Sequence, residues 1–195
     1  MSYKVGVLAL QGDFDLHCQV IEKLGHKPLL VKTVFELKKC DALIMPGGES
    51  TTVRRLSNGL GLTEAFQEFG QNKPIMGTCA GLILLAKKIE NSSEPTLSLL
   101  DITVKRNAYG RQIHSFTRPG KLVGLNGLSD FEMVFIRAPI ITEVGLEVEK
   151  IGFLGDQVVM VKNENILGLT FHPELTSDSR IHQYFLNKFL TKKYT

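Results

Sequence analysis

The reading of the chain turns on Lys73-Pro-Ile-Met-Gly-Thr-Cys-Ala-Gly-Leu-Ile-Leu-Leu-Ala-Lys-Lys88. A short apolar run stops at Gly77, Cys79 follows, and Gly81 opens an amphipathic run. Gly77-Thr78-Cys79-Ala80-Gly81 has the spacing of a nucleophile elbow, G-x-nucleophile-x-G, with sulfur in place of hydroxyl. Such a strand-to-helix turn is tight, so the positions two before and two after the nucleophile must carry almost no side chain. A helix starting at Ala80 puts Cys79 at its N-terminus, where free N–H groups and the helix dipole favour thiolate over thiol. Taken alone, the pentapeptide fits a buried structural cysteine equally well. Its meaning depends on partners elsewhere in the chain.

Working outward, the segments before it alternate in character. Val5–Leu10 is a β-type apolar run closed by the turn Gln11-Gly12-Asp13. Phe14, Cys18, Ile21 and Leu24 then recur at helical spacing, with Gly25 as the stop. Pro28–Val31 and Ala42–Met45 read as further strands, with a poor helix over Val34–Lys39 between them. Past Pro46-Gly-Gly-Glu-Ser-Thr-Thr52, helical pieces cover Val53–Leu56 and Leu62–Phe69. Ile75-Met76 is the next strand and Ala80–Ile89 its helix. Apolar strands alternating with helices predict a parallel sheet covered on both faces, joined by right-handed crossovers.

From Asn91 the pattern changes to short β-type segments separated by turns: Ser98–Val104, Leu122–Leu125, Met133–Ile136, Val148–Ile151, Val158–Val161 and Ile166–Phe171. Asn163-Glu164-Asn165 reads as a hairpin tip. Ile181, Tyr184, Phe185 and Phe189 share one face of a terminal helix. With no repeat or linker, residues 1–195 are expected to form one α/β domain. It would have three layers, with a mostly parallel sheet flanked by helices and an antiparallel extension.

Composition narrows the function. The 195 residues fit one domain of ~100–200 residues. The net charge is +3 and no basic run exceeds Lys192-Lys193, so the footprint of a nucleic-acid binder is missing. Cys18, Cys40 and Cys79 are odd in number and lack paired spacing, which argues against a disulfide framework or a cysteine-based metal site and for a reducing compartment. No apolar run reaches the ~18 residues that span a membrane, and the first apolar stretch is too short for a signal peptide. A cytoplasmic protein with no membrane contact, metal or redox cofactor is expected.

A nucleophilic cysteine needs a base. Of the five histidines, His17, His26 and His182 read as solvated, and His114 lies in a polar segment of unspecified role. His172 differs, because it follows the last apolar strand, where ligands of open α/β sheets gather. Pro173 is expected to hold the chain extended, which places His172 and Glu174 on one side, so that the carboxylate can orient the imidazole. Gly47-Gly48 after a strand offers backbone N–H groups for close approach of a substrate, but matches neither dinucleotide nor phosphate-loop patterns. Arg106 and Arg137 lie in or beside β-type segments, where either can hold a carboxylate by a bidentate contact or stand as a surface charge.

Taken together, Pro46-Gly-Gly-Glu-Ser-Thr-Thr52, Gly77-Thr-Cys-Ala-Gly81 and Phe171-His-Pro-Glu174 resemble the class I (triad) glutamine amidotransferases, whose fold is flavodoxin-like. Leu8-Ala-Leu-Gln-Gly12, Arg106-Asn-Ala-Tyr-Gly-Arg-Gln112 and Phe135-Ile-Arg-Ala-Pro139 narrow the resemblance to the glutaminase subunits of pyridoxal 5′-phosphate synthase. The resemblance implies Cys79 as nucleophile, His172 as general acid/base and Glu174 as its orienter. It implies Gly47, Gly48, Glu49, Arg106, Ile136 and Arg137 as glutamine-binding positions. The N–H groups of Ala80 and of the Gly47-Gly48 loop are the oxyanion candidates. It also implies L-glutamine as substrate and a (β/α)8-barrel synthase as partner in a large hetero-oligomer. Two positions depart from the family's pattern: His114, where an acidic residue is expected, and Ser98, where glycine is more usual. Another hydrolytic use of the same residues, as an amidase or cysteine peptidase, and a non-catalytic regulatory protein are the alternatives. Glutamine protection of Cys79 against alkylation separates the first from a glutaminase, and loss of ammonia release on Cys79→Ala separates the second.

Overall fold

The structure, a computed structural model, describes residues 2–108, 115–124 and 130–190. Its centre is a nine-stranded sheet. Strands β1 (Lys4–Leu8), β2 (Lys27–Val31), β3 (Ala42–Met45), β4 (Ile75–Thr78) and β12 (Ile166–Leu169) run parallel in the order β2-β1-β3-β4-β12. The sheet continues antiparallel through β11 (Gln157–Lys162), β10 (Glu149–Leu154), β7 (Ser115–Leu122) and β8 (Asp130–Ile136). A smaller sheet is made of β5 (Ala86–Ile89), β6 (Leu100–Lys105) and β9 (Ile140–Val144).

The parallel strands are apolar throughout because both their faces are covered. Every residue of β3 is buried, and its side chains alternate between two cores. Leu43 and Met45 join one core with Val53, Leu62, Phe66 and Leu82, whereas Ala42 and Ile44 join the other with Ile21, Ile181 and Phe185. The first core lies under α2 (Val34–Lys38), α3 (Ser50–Gly59), α4 (Leu62–Asn72), α5 (Ala80–Leu85) and the small sheet. The second lies under α1 (Phe14–Lys23) and α6 (Arg180–Leu190). This is the expected three-layer arrangement with its antiparallel extension.

Several expectations need correction. The helix expected over Ala80–Ile89 ends at Leu85, and Ala86–Ile89 is a strand. Ala80–Leu85 is apolar on every side and entirely buried, so it carries no stripe to mark where helix gives way to strand. Strand β7 is longer than expected and contains Pro119, which is tolerated because β10 pairs only with Lys121 and Leu122 of that strand. The expected Leu125 end of that segment, like His114, lies outside the described residues. Strand β9 has no counterpart in the sequence reading, and the segment of Pro173 is a 3-10 turn, Pro173–Leu175, rather than extended chain.

Candidate active site

Four neighbouring parallel strands end on one side of the sheet, and the residues that follow them meet there. These are Gln11-Gly12 after β1, Gly47-Gly48-Glu49 after β3, Cys79 after β4 and His172 after β12. The carboxyl ends of parallel strands are where an open α/β sheet leaves a crevice. A cleft of about 310 Å³ lies there, lined by Gly48, Glu49, Cys79, Ala80, Ile83, Arg106, Asn107, Ile136, Arg137 and His172 among others.

The elbow is built as its glycines require. A side chain on Gly77 would meet Leu85 at 2.4 Å and the Gly81 backbone at 2.8 Å, and one on Gly81 would lie 2.0 Å from the Met45 carbonyl oxygen. Cys79 itself adopts φ 49° and ψ −101°, a conformation costly for any L-residue. It is held by its N–H, which donates to the Leu169 carbonyl at 2.9 Å. Of the five described non-glycine residues with positive φ, three (Cys79, Asn107 and Arg137) line the same cleft. Strain is therefore concentrated at the cleft rather than scattered over the surface.

His172 is pinned from several sides. Its backbone N–H donates to the Val134 carbonyl at 2.9 Å, and its Nδ1 lies 2.7 Å from Glu174 Oε1. The sequence reading thus paired the right residues, although the 3-10 turn brings them together rather than extended backbone. Burial favours a neutral His172, but hydrogen bonds and charge from Cys79 and Glu174 outweigh it and push the imidazole up to about 10. For Glu174 burial works against ionisation. The facing imidazoles of His17 and His172 prevail and hold its carboxyl well below the usual carboxylate range. Burial and nearby carboxylates raise Cys18 to about 11, and burial, only partly offset by Lys73, does the same to Cys40.

Gly47 rests against the imidazole, since a Cβ there would lie 2.2 Å from His172 Cε1. Gly48, at φ 146°, lies against Gln11. Gln11 Oε1 in turn accepts the Glu49 N–H at 2.6 Å. The Glu49 carboxylate caps α3, accepting from the N–H groups of Thr51 and Thr52. The Ile136 carbonyl oxygen sits 3.7 Å from Cys79 Sγ, just before the left-handed Arg137. Arg106 reaches the cleft while donating to Thr51 Oγ1 at 3.1 Å and Glu94 Oε2 at 2.8 Å.

Of the expected site residues, Gly48, Glu49, Cys79, Ala80, Arg106, Ile136, Arg137 and His172 line one cleft, while Gly47 and Glu174 lie against the His172 ring; two buried histidines depart from expectation. His17 and His182 were expected in solvent, yet both are completely buried, with His17 Nδ1 and His182 Nε2 2.9 Å apart. A wider helical stripe would have found them. His17 stands at i+3 from Phe14 and i−4 from Ile21, and His182 at i−3 from Phe185 and i−4 from Leu186. Gln11 belongs to the Leu8–Gly12 motif, and nothing in its own spacing points to Glu49.

A mostly parallel α/β sheet with a strained cysteine after one strand and a buried His–Glu pair after the next defines the class: an α/β protein with a thiol, an imidazole and a carboxylate arrayed for acyl transfer. The family model that describes the SNO glutamine amidotransferase family matches residues 7–191. The chain is 47% identical over 183 residues to a protein of Fervidobacterium nodosum named pyridoxal 5′-phosphate synthase subunit PdxT, covering 93% of this chain and 95% of that one. It is 49% identical over 186 residues to the protein of that name from Geobacillus thermodenitrificans, covering 94% of each. A crystal structure of a glutamine amidotransferase superposes with a TM-score of 0.89 at 42% identity, covering 94% of this chain and 97% of that one. The chain belongs to the SNO glutamine amidotransferase family.

Proposed function

We propose that this chain is the glutaminase subunit of a pyridoxal 5′-phosphate synthase. As one domain over residues 1–195, it hydrolyses L-glutamine to L-glutamate and ammonia for a cytoplasmic synthase subunit. The observation that carries the active-site reading is the 2.7 Å contact of His172 Nδ1 with Glu174 Oε1, beside a strained Cys79 in the same cleft. The relatives' name carries the partner.

In this reading the Cys79 thiolate attacks the side-chain carbonyl carbon of glutamine, and the C=O electron pair moves onto oxygen. The N–H of Ala80 and the Gly47-Gly48 loop face that oxyanion. Each such donor is worth about 2.7–4 kcal/mol in other enzymes. The His172 imidazolium gives its Nε2 proton to the leaving nitrogen as the C–N bond breaks, and ammonia departs. Water then attacks the thioester while neutral His172 takes its proton. Collapse expels the thiolate and releases glutamate. Glu174 keeps Nδ1 protonated and the ring oriented throughout. Glu49, Arg106, Ile136 and Arg137 frame the rest of the substrate, with the arginines suited to its α-carboxylate.

Ammonia released into neutral water becomes ammonium and loses its nucleophilicity, so a barrel-shaped consumer docked on the cleft side, in a large hetero-oligomer, receives it before it reaches solvent. Ammonia release by wild type and Cys79→Ala, each with the synthase present, tests the proposal. The variant is expected to be inactive, and equal rates would dismiss the triad. Glutamine is expected to protect Cys79 from a glutamine-analogue electrophile, and lack of protection would point to another amide substrate.

A further inference from the structure

Behind Glu174 the polar chain does not stop. His17 Nε2, on α1, lies 3.4 Å from Glu174 Oε2, an ion-pair distance, and no described group makes a hydrogen bond to that oxygen. The same nitrogen lies 3.5 Å from Thr78 Oγ1 on β4, and His17 Nδ1 is 2.9 Å from His182 Nε2 on α6. Thr78, His17 and His182 have no solvent exposure, and Glu174 has 4%.

The pattern of donors selects one tautomer for each ring. His182 Nδ1 is buried without a partner. A bare lone pair there costs less than an orphaned N–H, so the proton of neutral His182 belongs on Nε2 and points at His17 Nδ1. Burial lowers His182 to about 3, which keeps it neutral. With Nδ1 of His17 accepting, its proton lies on Nε2 and faces Glu174 Oε2. The donors then point toward the carboxylate: His182 to His17, His17 across 3.4 Å toward Oε2, and His172 to Oε1.

We propose that His17, oriented by His182, is a positioning residue that locks the Glu174 carboxylate so that Oε1 is presented to His172. The proposal rests on reading Cys79, His172 and Glu174 as the catalytic set. Without the His17 imidazole 3.4 Å away, buried Oε2 has no polar group facing it, and the carboxylate relieves this by rotating or by taking up a proton. Either response weakens the hold on His172 Nδ1. The titratable groups facing Glu174 are His172 in its own segment and His17 from α1, with His182 from α6 behind them.

The test is glutaminase kinetics against pH in the complex with the synthase, normalised to the Cys79 that a glutamine-analogue electrophile alkylates. His17→Leu is expected to lower kcat on the order of 10- to 100-fold, the range for partners that orient a ligand residue. KM should stay nearly unchanged, and the acid limb should move to higher pH because Glu174 protonates more easily. His17→Gln, whose side-chain amide restores a donor near the Nε2 position, is expected to recover most of the rate and return the limb. A lost fold alone would reduce the titratable sites without moving the limb. Wild-type kcat and an unmoved limb in His17→Leu would overturn the proposal. If that variant does not fold, histidine-selective ¹⁵N spectra of the wild-type chain decide. A proton on His17 Nε2 is expected, and a neutral His17 protonated only on Nδ1 would overturn the proposal. Cys79→Ala keeps the two readings apart. If it is inactive while His17→Leu is normal, only this inference fails, whereas an active Cys79→Ala removes its foundation.

Discussion

Adding one methyl group at Gly47 should displace the imidazole of His172 without altering any charge. A Cβ at that position lies 2.2 Å from His172 Cε1, 3.0 Å from Nδ1 and 3.2 Å from Nε2, whereas ordinary contact begins at 3.4 Å. The ring must therefore retreat by roughly 1.2 Å, the difference between the ordinary and the imposed Cε1 contact. Gly47 is not among the glycines with positive φ, so alanine is tolerated by its backbone and the clash falls on the ring. The ring cannot follow freely, because the His172 N–H is tied to Val134 and Nδ1 to Glu174. A misplacement of about 1 Å at reacting groups costs on the order of 100-fold in rate, or about 2.7 kcal/mol of barrier. Gly47→Ala should therefore lose on the order of 100-fold in ammonia release per alkylatable Cys79. Gly59→Ala is the control. It has nothing within 4 Å of its Cβ, and it should keep full activity while gaining about 0.5–1 kcal/mol of stability as a helix residue. A Gly47→Ala enzyme within about threefold of wild type would refute the argument, because a ring packed against the loop cannot absorb that displacement and still align.

Thermal stability should peak near pH 6.5. His172 is raised to about 10, so its contribution is complete below its ordinary 6.5 and is lost as pH rises through 10. His182 is lowered to about 3, so the unfolded chain takes up a proton that the folded chain refuses, and stability falls as pH drops from 6.5 toward 3. Glu174 adds to that acid loss below its ordinary 4.5. Thermal melts of wild type and His182→Gln check this, and an unchanged acid slope between pH 6.5 and 4.5 in the variant would count against it. Ser98 is exposed at φ 56°, where glycine is strain-free, so Ser98→Gly should stabilise the chain by about 0.5–1 kcal/mol in denaturant titrations. Arg106→Ala should raise the glutamine KM by the loss of a charged hydrogen bond, about 1.5–3 kcal/mol, with little change in kcat. An unchanged KM would place the substrate carboxylate elsewhere in the cleft.

The parallel half of the fold was legible because strands such as Ala42–Met45 are bounded by turn residues and apolar at every position, a pattern that only burial on both faces explains. The meeting of Cys79 and His172 at neighbouring strand ends was legible because an elbow and a strand-end histidine are local patterns. What stayed hidden depends on distant chain. Ala86–Ile89 becomes a strand because Leu100–Lys105 pairs with it, and nothing within the apolar run Ala80–Ile89 announces that partner. The burial of His17 and His182 is hidden because each is polar at the edge of an apolar stripe, and the two meet across 165 positions of sequence. Arg106 reads in the sequence as a carboxylate holder or a surface charge, and nothing near it announces Glu94 and Thr51, which fix it from other segments. Ser98 stands apart: its departure from the family's glycine was visible in the sequence, and its left-handed φ supplies the physical reason glycine suits that position.

The antiparallel extension is part of the site as much as the parallel sheet is. Strand β8 offers the Val134 carbonyl to the backbone of His172 and the Ile136 carbonyl to the neighbourhood of Cys79 Sγ. Immediately after it, Arg137 turns left-handed to enter the cleft. From the other end of the chain, the segment after β1 supplies Gln11 to the Gly48-Glu49 backbone, and α1 brings His17 to Glu174. Cys79 and His172 each occupy a backbone position that their own strands do not determine. Their alignment depends on contacts from β8 and α1, which join the structure through pairings distant in sequence. A strained φ of 49° at Cys79 persists only where surrounding contacts over-determine it. Loosening β8 or α1 should therefore cost activity before it costs the fold, because the sheet core retains its burial while the cysteine relaxes away from the histidine.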